Sequence, residues 1–76
     1  MREVVLNKQP VELHKILKFE GMVATGGEAK QVIAEGYVRV NGEVETRKRK
    51  KIFSGDTIEF ERDNIRIQLH EPGQAK

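Results

Sequence analysis

Arg47-Lys48-Arg49-Lys50-Lys51 sets five consecutive positive charges in one short stretch. The chain has 14 Lys and Arg against 12 Asp and Glu; without these five, 9 basic residues remain and the rest is net −3. The overall charge of +2 thus hides a concentrated positive patch on an acidic background. Such a stretch repels itself, and a polyanion offsets that cost. A second group, Thr25-Gly26-Gly27 with Lys30 one turn on, has the chemistry of a phosphate seat. It offers free backbone N–H groups, the positive end of a helix dipole and two residues that allow close backbone approach. Lys15, Lys18, Arg39 and Asn41 are secondary candidates that would extend the same surface.

Each group also has a plainer explanation. A charged loop blocks edge-to-edge strand pairing, although five charges in a row exceed what that needs. Extended backbone would send Arg47 and Arg49 to one side and Lys48 and Lys50 to the other unless the loop twists. Thr25 to Glu28 is also a simple helix cap. Glu12 and Glu20 are near enough to neutralise Lys15 and Lys18, Arg39 can pair with Glu43, and a turn explains Asn41.

Catalytic chemistry has little to work with. There is no Cys, so thiol nucleophiles, thiolate metal sites and disulfides are all excluded. His14 and His70 are far apart with no metal-ligand spacing, and Ser54 has no neighbouring base. No P-loop, dinucleotide fingerprint or acid–base carboxylate pair occurs. No cofactor, metal or small-molecule substrate is expected, and the chain reads as a non-enzyme.

These residues must be positioned by a small scaffold. Seventy-six residues make one domain, 1–76, with a core over about 3–69 and a loose tail at 70–76. A chain of this size buries only about 60% of its unfolded surface, which favours work on an open face over an enclosed pocket. No apolar run approaches the ~20 residues of a membrane span and no signal-peptide pattern occurs, so cytoplasmic is the default expectation. The chain is expected to be a monomer.

Glu3-Val4-Val5-Leu6 reads as an edge strand and Pro10 as the first turn of a helix. Leu13, Ile16 and Leu17 share one helical face, with Gly21 as the stop. Thr25-Gly26-Gly27-Glu28 has capping-box spacing, Ala29, Val32 and Ile33 form the apolar stripe behind it, and Gly36 ends the second helix. Asn41-Gly42 marks a hairpin, for which a three-residue loop (Val40-Asn41-Gly42) would pair Val38 with Val44 and Arg39 with Glu43. Ser54-Gly55-Asp56 is a turn, and Thr57–Glu61 and Ile65–Leu69 alternate as strands. Pairing Phe60 with Ile65 aligns their apolar faces. The economical architecture is α+β, with two short helices packed on a small antiparallel sheet.

From Leu13 to about Phe60 the chain resembles the S-four RNA-binding domain, the module named for a small-subunit ribosomal protein. The likeness rests on Leu13…Leu17, Thr25-Gly26-Gly27-Glu28-Ala29-Lys30, Ile33…Glu35-Gly36, Val38-Arg39-Val40-Asn41-Gly42 and Gly55-Asp56-Thr57-Ile58 in that order. Many members carry Ser-Arg where the second helix begins; this chain has no Arg there. Gly26 to Lys30 together with Glu45-Thr46-Arg47-Lys48-Arg49 is similar to the stand-alone bacterial subgroup of the YbcJ type. The resemblance implies the αL motif and a non-catalytic, ribosome-associated or structured-RNA-binding role. In larger relatives the module is appended to pseudouridine synthases and tyrosyl-tRNA synthetases, so for this chain the resemblance implies the binding function only.

The expected ligand is folded RNA, ribosomal or transfer RNA. It would be met by Arg47, Lys48, Arg49, Lys51 and Lys30, with Thr25, Gly26 and Gly27 close by. On this expectation the basic stretch stands beside the N-terminal end of the second helix. The alternative is a protein-docking adaptor whose basic loop meets an acidic protein surface, with duplex DNA as a third possible ligand.

Overall fold

Thr25 and Glu28 decide where the second helix starts. Thr25 has extended backbone, and its Oγ1 accepts the Glu28 N–H at 3.0 Å. The Glu28 carboxylate reaches back to the Ala24 N–H at 3.0 Å, one residue before the usual reciprocal partner. Helix α2 then runs Gly26–Ala34, burying Ala29 and Ile33, with Val32 packed at their edge. Gly36, at φ 84, turns the chain out of the helix, and its N–H donates to the Ile33 carbonyl.

The computed structural model describes residues 2–6 and 11–69. The expected helical role of Pro10 and the loose tail 70–76 lie outside the described residues. The other elements are β1 (Arg2–Leu6), β2 (Val11–Glu12), α1 (Leu13–Phe19), β3 (Val38–Val40), β4 (Glu43–Val44), β5 (Lys51–Ile52), β6 (Thr57–Phe60) and β7 (Asp63–Leu69). The fold is α+β, with five strands ordered β1-β7-β6-β3-β4 and a separate pair, β2-β5. Three pairings of the larger sheet are antiparallel, whereas β1 joins β7 in parallel. A parallel partner needs a long crossover, and here nearly the whole chain separates the two strands.

One core ties the layers together. Leu13, Ile16 and Leu17 of α1 and Ala29 and Ile33 of α2 pack with Val38, Ile52, Ile58, Ile65 and Ile67, all at most 1% exposed. Alternation along β6 and β7 supplies the sheet's share, because successive residues point to opposite faces.

Both expected hairpin registers are corrected. The Asn41-Gly42 loop has two residues, pairing Val40 with Glu43 and Arg39 with Val44. Asn41 (φ 53) and Gly42 (φ 85) both take positive φ, the geometry of the tight hairpin turn. Asn41 is fixed there from the other side: its N–H donates to Thr57 O at 2.9 Å and its Oδ1 accepts the Thr57 N–H at 3.0 Å. Because β4 is short and Val44 is 53% exposed, mixing its faces costs little. In the second hairpin Ile58, not Phe60, faces Ile65, and Phe60 faces Asp63 across a tight turn with Glu61 at φ 57. A shift of two residues keeps side-chain parity, so the apolar faces still align.

Candidate nucleic-acid interface

The basic stretch is held against the start of α1. Helix α1 has Glu12 as its N-cap, and no side chain caps it. Its first N–H groups instead donate to the loop: Leu13 to Lys50 O at 2.9 Å and His14 to Lys48 O at 3.1 Å. Pairing of Glu12 with Lys51 and of Val11 with Ile52 continues the attachment, and Ile52 is fully buried. Carbonyls of the cationic residues thus satisfy donors of the helix while their side chains remain outside.

Between these anchors the stretch does not run extended. Lys50 N–H donates to Arg47 O at 3.1 Å, closing a turn. The turn gathers Arg47, Lys48, Arg49, Lys50 and Lys51 along one open groove of about 710 Å³, with Thr46, Phe53 and Ala34 completing its lining. All five therefore border one groove, while Arg47 and Lys50 also border a second one with Glu43 and Glu45.

The expected position of this surface is corrected as well. The helical residue it meets is Ala34, at the C-terminal end of α2, roughly 12 Å along the axis from Gly26. Gly27, Lys30 and Ala34 nonetheless lie on one face of α2 at i, i+3 and i+7, and all three are exposed. That face connects the two candidate groups.

Arg47 differs from its neighbours. Its Nε and a terminal nitrogen donate to the two Glu45 carboxylate oxygens at 2.9 and 3.1 Å, and its backbone N–H adds a third bond at 3.0 Å. These bonds push the Glu45 carboxyl down to about 2 and raise the Arg47 guanidinium. Lys48, Arg49, Lys50 and Lys51 form no ion pair among the described residues. Arg49 and Lys15 are close enough to Glu12 to help lower its carboxyl, after the larger effect of the 2.8 Å bond to His14.

At the start of α2, Thr25 is spent on its cap, while Gly26 and Gly27 remain accessible. A Cβ on Gly26 would meet nothing within 4 Å, and one on Gly27 would meet only Thr25 Oγ1 at 3.9 Å. Neither glycine is required by internal packing.

The secondary candidates separate. Lys15 and Lys18 are exposed on α1; Glu12 bonds His14 while still feeling the charge of Lys15, and Glu20 pairs with Arg2 at 3.4 Å. Arg39 projects from the sheet face opposite buried Val38 and Val40 and faces Glu59 across β6, not Glu43. Asn41 is committed to the β3–β6 junction, its Nδ2 also donating to Asp56 at 3.0 Å. Sequence reasoning missed Phe53, Thr46 and Ala34 as groove residues. Alternation could have found Phe53, because burying Ile52 turns its neighbour outward.

Among the described residues no helix is long and apolar enough to cross a membrane, and no cluster of three or more His, Cys, Asp or Glu could hold a metal. The arrangement is that of a small scaffold presenting a basic groove beside a helix pair.

Residues 4–68 match the model of the S4 domain, and the chain belongs to that family, written above as S-four. It is 49% identical over 63 residues to YbcJ of Escherichia coli (strain K12), covering 82% of this chain and 90% of that protein. It is 31% identical over 58 residues to the "Probable ribosome maturation protein RlbA" of Bacillus subtilis (strain 168), covering 76% and 82%. The fold superposes on the solution structure of YbcJ from E. coli with a TM-score of 0.68 at 45% identity, over 90% of this chain and 87% of that one. That structure is described as revealing an αL motif involved in RNA-binding.

Proposed function

We propose that this chain is a non-catalytic protein that grips structured RNA, ribosomal or transfer RNA, and that it works in association with the ribosome. The observation that carries the reading is the groove lined by five cations, four of them without an ion pair among the described residues. Desolvating those charges against a protein surface is costly, whereas phosphates supply charge-assisted bonds and release counterions. Lys48, Arg49 and Lys51, with Arg47 and Lys30, meet successive phosphates. Thr25, Gly26 and Gly27 mark where the backbone comes closest to the protein. The ribosome maturation name of the B. subtilis relative and the RNA-binding motif ascribed to YbcJ support the same reading.

A-form helices hide base edges in a deep major groove, so the target is chosen mainly by shape. With about five phosphates contacted, log affinity falls with log salt at a slope of roughly −3.5 to −4.5. Arg49→Ala lowers the magnitude of that slope by about one and weakens good targets alike. Titration of binding against salt checks this, and a slope near zero rejects it. Crosslinking in cells followed by sequencing of the attached RNA identifies the target; recovery of proteins alone after RNase digestion would favour a docking adaptor instead.

A further inference from the structure

Phe53 is the aromatic residue placed among the cations. It is 50% exposed and lines the groove together with the five basic residues and small Ala34. Two other aromatics are exposed, in different surroundings. Tyr37 lines a separate groove with Glu28 and Glu61, two carboxylates that repel a phosphate chain. Phe19 closes α1, outside the residues that line the basic groove.

The ring is also presented on a fixed backbone. Phe53 N–H donates to Asp56 Oδ2 at 2.9 Å, and Asp56 N–H returns to Phe53 O at 3.1 Å. The other Asp56 oxygen accepts from Asn41 at 3.0 Å, and the Asp56 carbonyl accepts the Ile67 N–H at 2.8 Å. Asp56 therefore locks Phe53 to the hairpin tip and the sheet. A fixed backbone leaves only the side-chain rotamers to be ordered on binding.

We propose that the exposed face of Phe53 is a stacking platform for an unpaired base, so that the RNA held in the basic groove is a helix interrupted by a bulged or flipped-out nucleotide. The inference rests on the groove taking RNA, and it narrows the class of RNA. Bases within a duplex are already stacked on their neighbours and present no face to a side chain. An unpaired base does, and aromatic stacking accepts any of the four bases. The cations hold the backbone on either side of the interruption while the ring takes the base between them.

The test uses the full chain and two stem-loop RNAs that differ only in a single bulged 2-aminopurine. The expected result is about tenfold tighter binding of the bulged RNA, with a change in 2-aminopurine fluorescence on binding. Phe53→Ala removes the preference and the fluorescence change, so that both RNAs bind alike, while the salt slope set by the cations persists. Phe53→Trp retains both. Because Phe53 lies outside the buried core, these variants are expected to fold, and circular dichroism checks it. Persistence of the preference in Phe53→Ala, or its full restoration by Phe53→Leu, overturns the stacking role. Salt-dependent binding of both RNAs without any preference overturns the stacking alone; absence of salt-dependent binding to either overturns the RNA reading as well.

Discussion

The two ends of α2 distribute their chemistry in opposite ways. At its N-terminus, where the helix dipole is positive, Thr25 and Glu28 satisfy nearby donors from within and Glu28 adds a negative charge. At its C-terminus, where the dipole is negative, five cations from a distant part of the chain gather around Ala34. Cations are favoured at that end, so the placement eases the self-repulsion of the basic stretch. Under the proposed RNA-binding role, the contrast gives different tasks to two regions that both looked like phosphate sites. In that role unpaired side-chain charge would supply attraction at one end, while bare glycine backbone would supply closeness of fit at the other.

The comparison breaks most directly at the basic end. Replacing Lys48, Arg49 and Lys51 together with Ala is expected to weaken RNA binding by about two orders of magnitude and to reduce the salt slope by about 2 to 3. Those side chains are exposed, so the denaturation midpoint should stay within about 0.5 kcal/mol of the original. Equal affinity at matched ionic strength would show that attraction comes from elsewhere.

The glycine end gives a smaller and oppositely directed effect. Gly26→Ala with Gly27→Ala introduces side chains that the fold accommodates, so stability should rise by about 1 kcal/mol in urea unfolding. Affinity for RNA should nevertheless drop severalfold with the salt slope unchanged, because closeness and not charge is lost. A variant that is stabilised and binds as before would remove this end from the interface.

Arg47 sharpens the contrast within the basic stretch itself. Glu45→Gln frees Arg47 from a two-pronged carboxylate bond that competes with phosphate, so RNA binding should tighten severalfold at a nearly unchanged salt slope. Acid should likewise free Arg47 in the unbound protein. Glu45 is held at about 2 against an ordinary 4.5, so the stabilisation lent by the pair is complete above the ordinary value. It fades as pH falls from about 4.5 toward 2. Carboxyl carbon shifts followed by NMR should place the Glu45 midpoint near 2, and a midpoint near 4.5 would deny the bond.

Much of the scaffold is legible in the sequence. Leu13, Ile16, Leu17, Ala29 and Ile33 follow helical spacing, and Ile58, Phe60, Ile65 and Ile67 follow strand spacing, so local periodicity already names the buried residues. The capping spacing of Thr25 and Glu28 and the stops at Gly21 and Gly36 depend on neighbours within a turn, and they too were legible. The hairpin registers were not. Asn41 is held by Thr57 and Asp56, 16 and 15 residues away, and that grip outweighs the cross-strand pairing that favoured a longer loop.

For the site, composition fixed which residues could attract a polyanion, since charge is a property of side chains wherever they stand. Where that charge would gather was decided in three dimensions. The carbonyls of Lys48 and Lys50 close the start of α1, the Arg47–Lys50 turn brings the five basic residues to the rim of one groove, and Phe53 emerges because Ile52 is buried opposite Val11. Each of these depends on partners more than thirty residues away or on a turn that no periodic pattern marks. A basic stretch therefore announces its attraction in the sequence, but its shape comes from the packing that anchors its two ends.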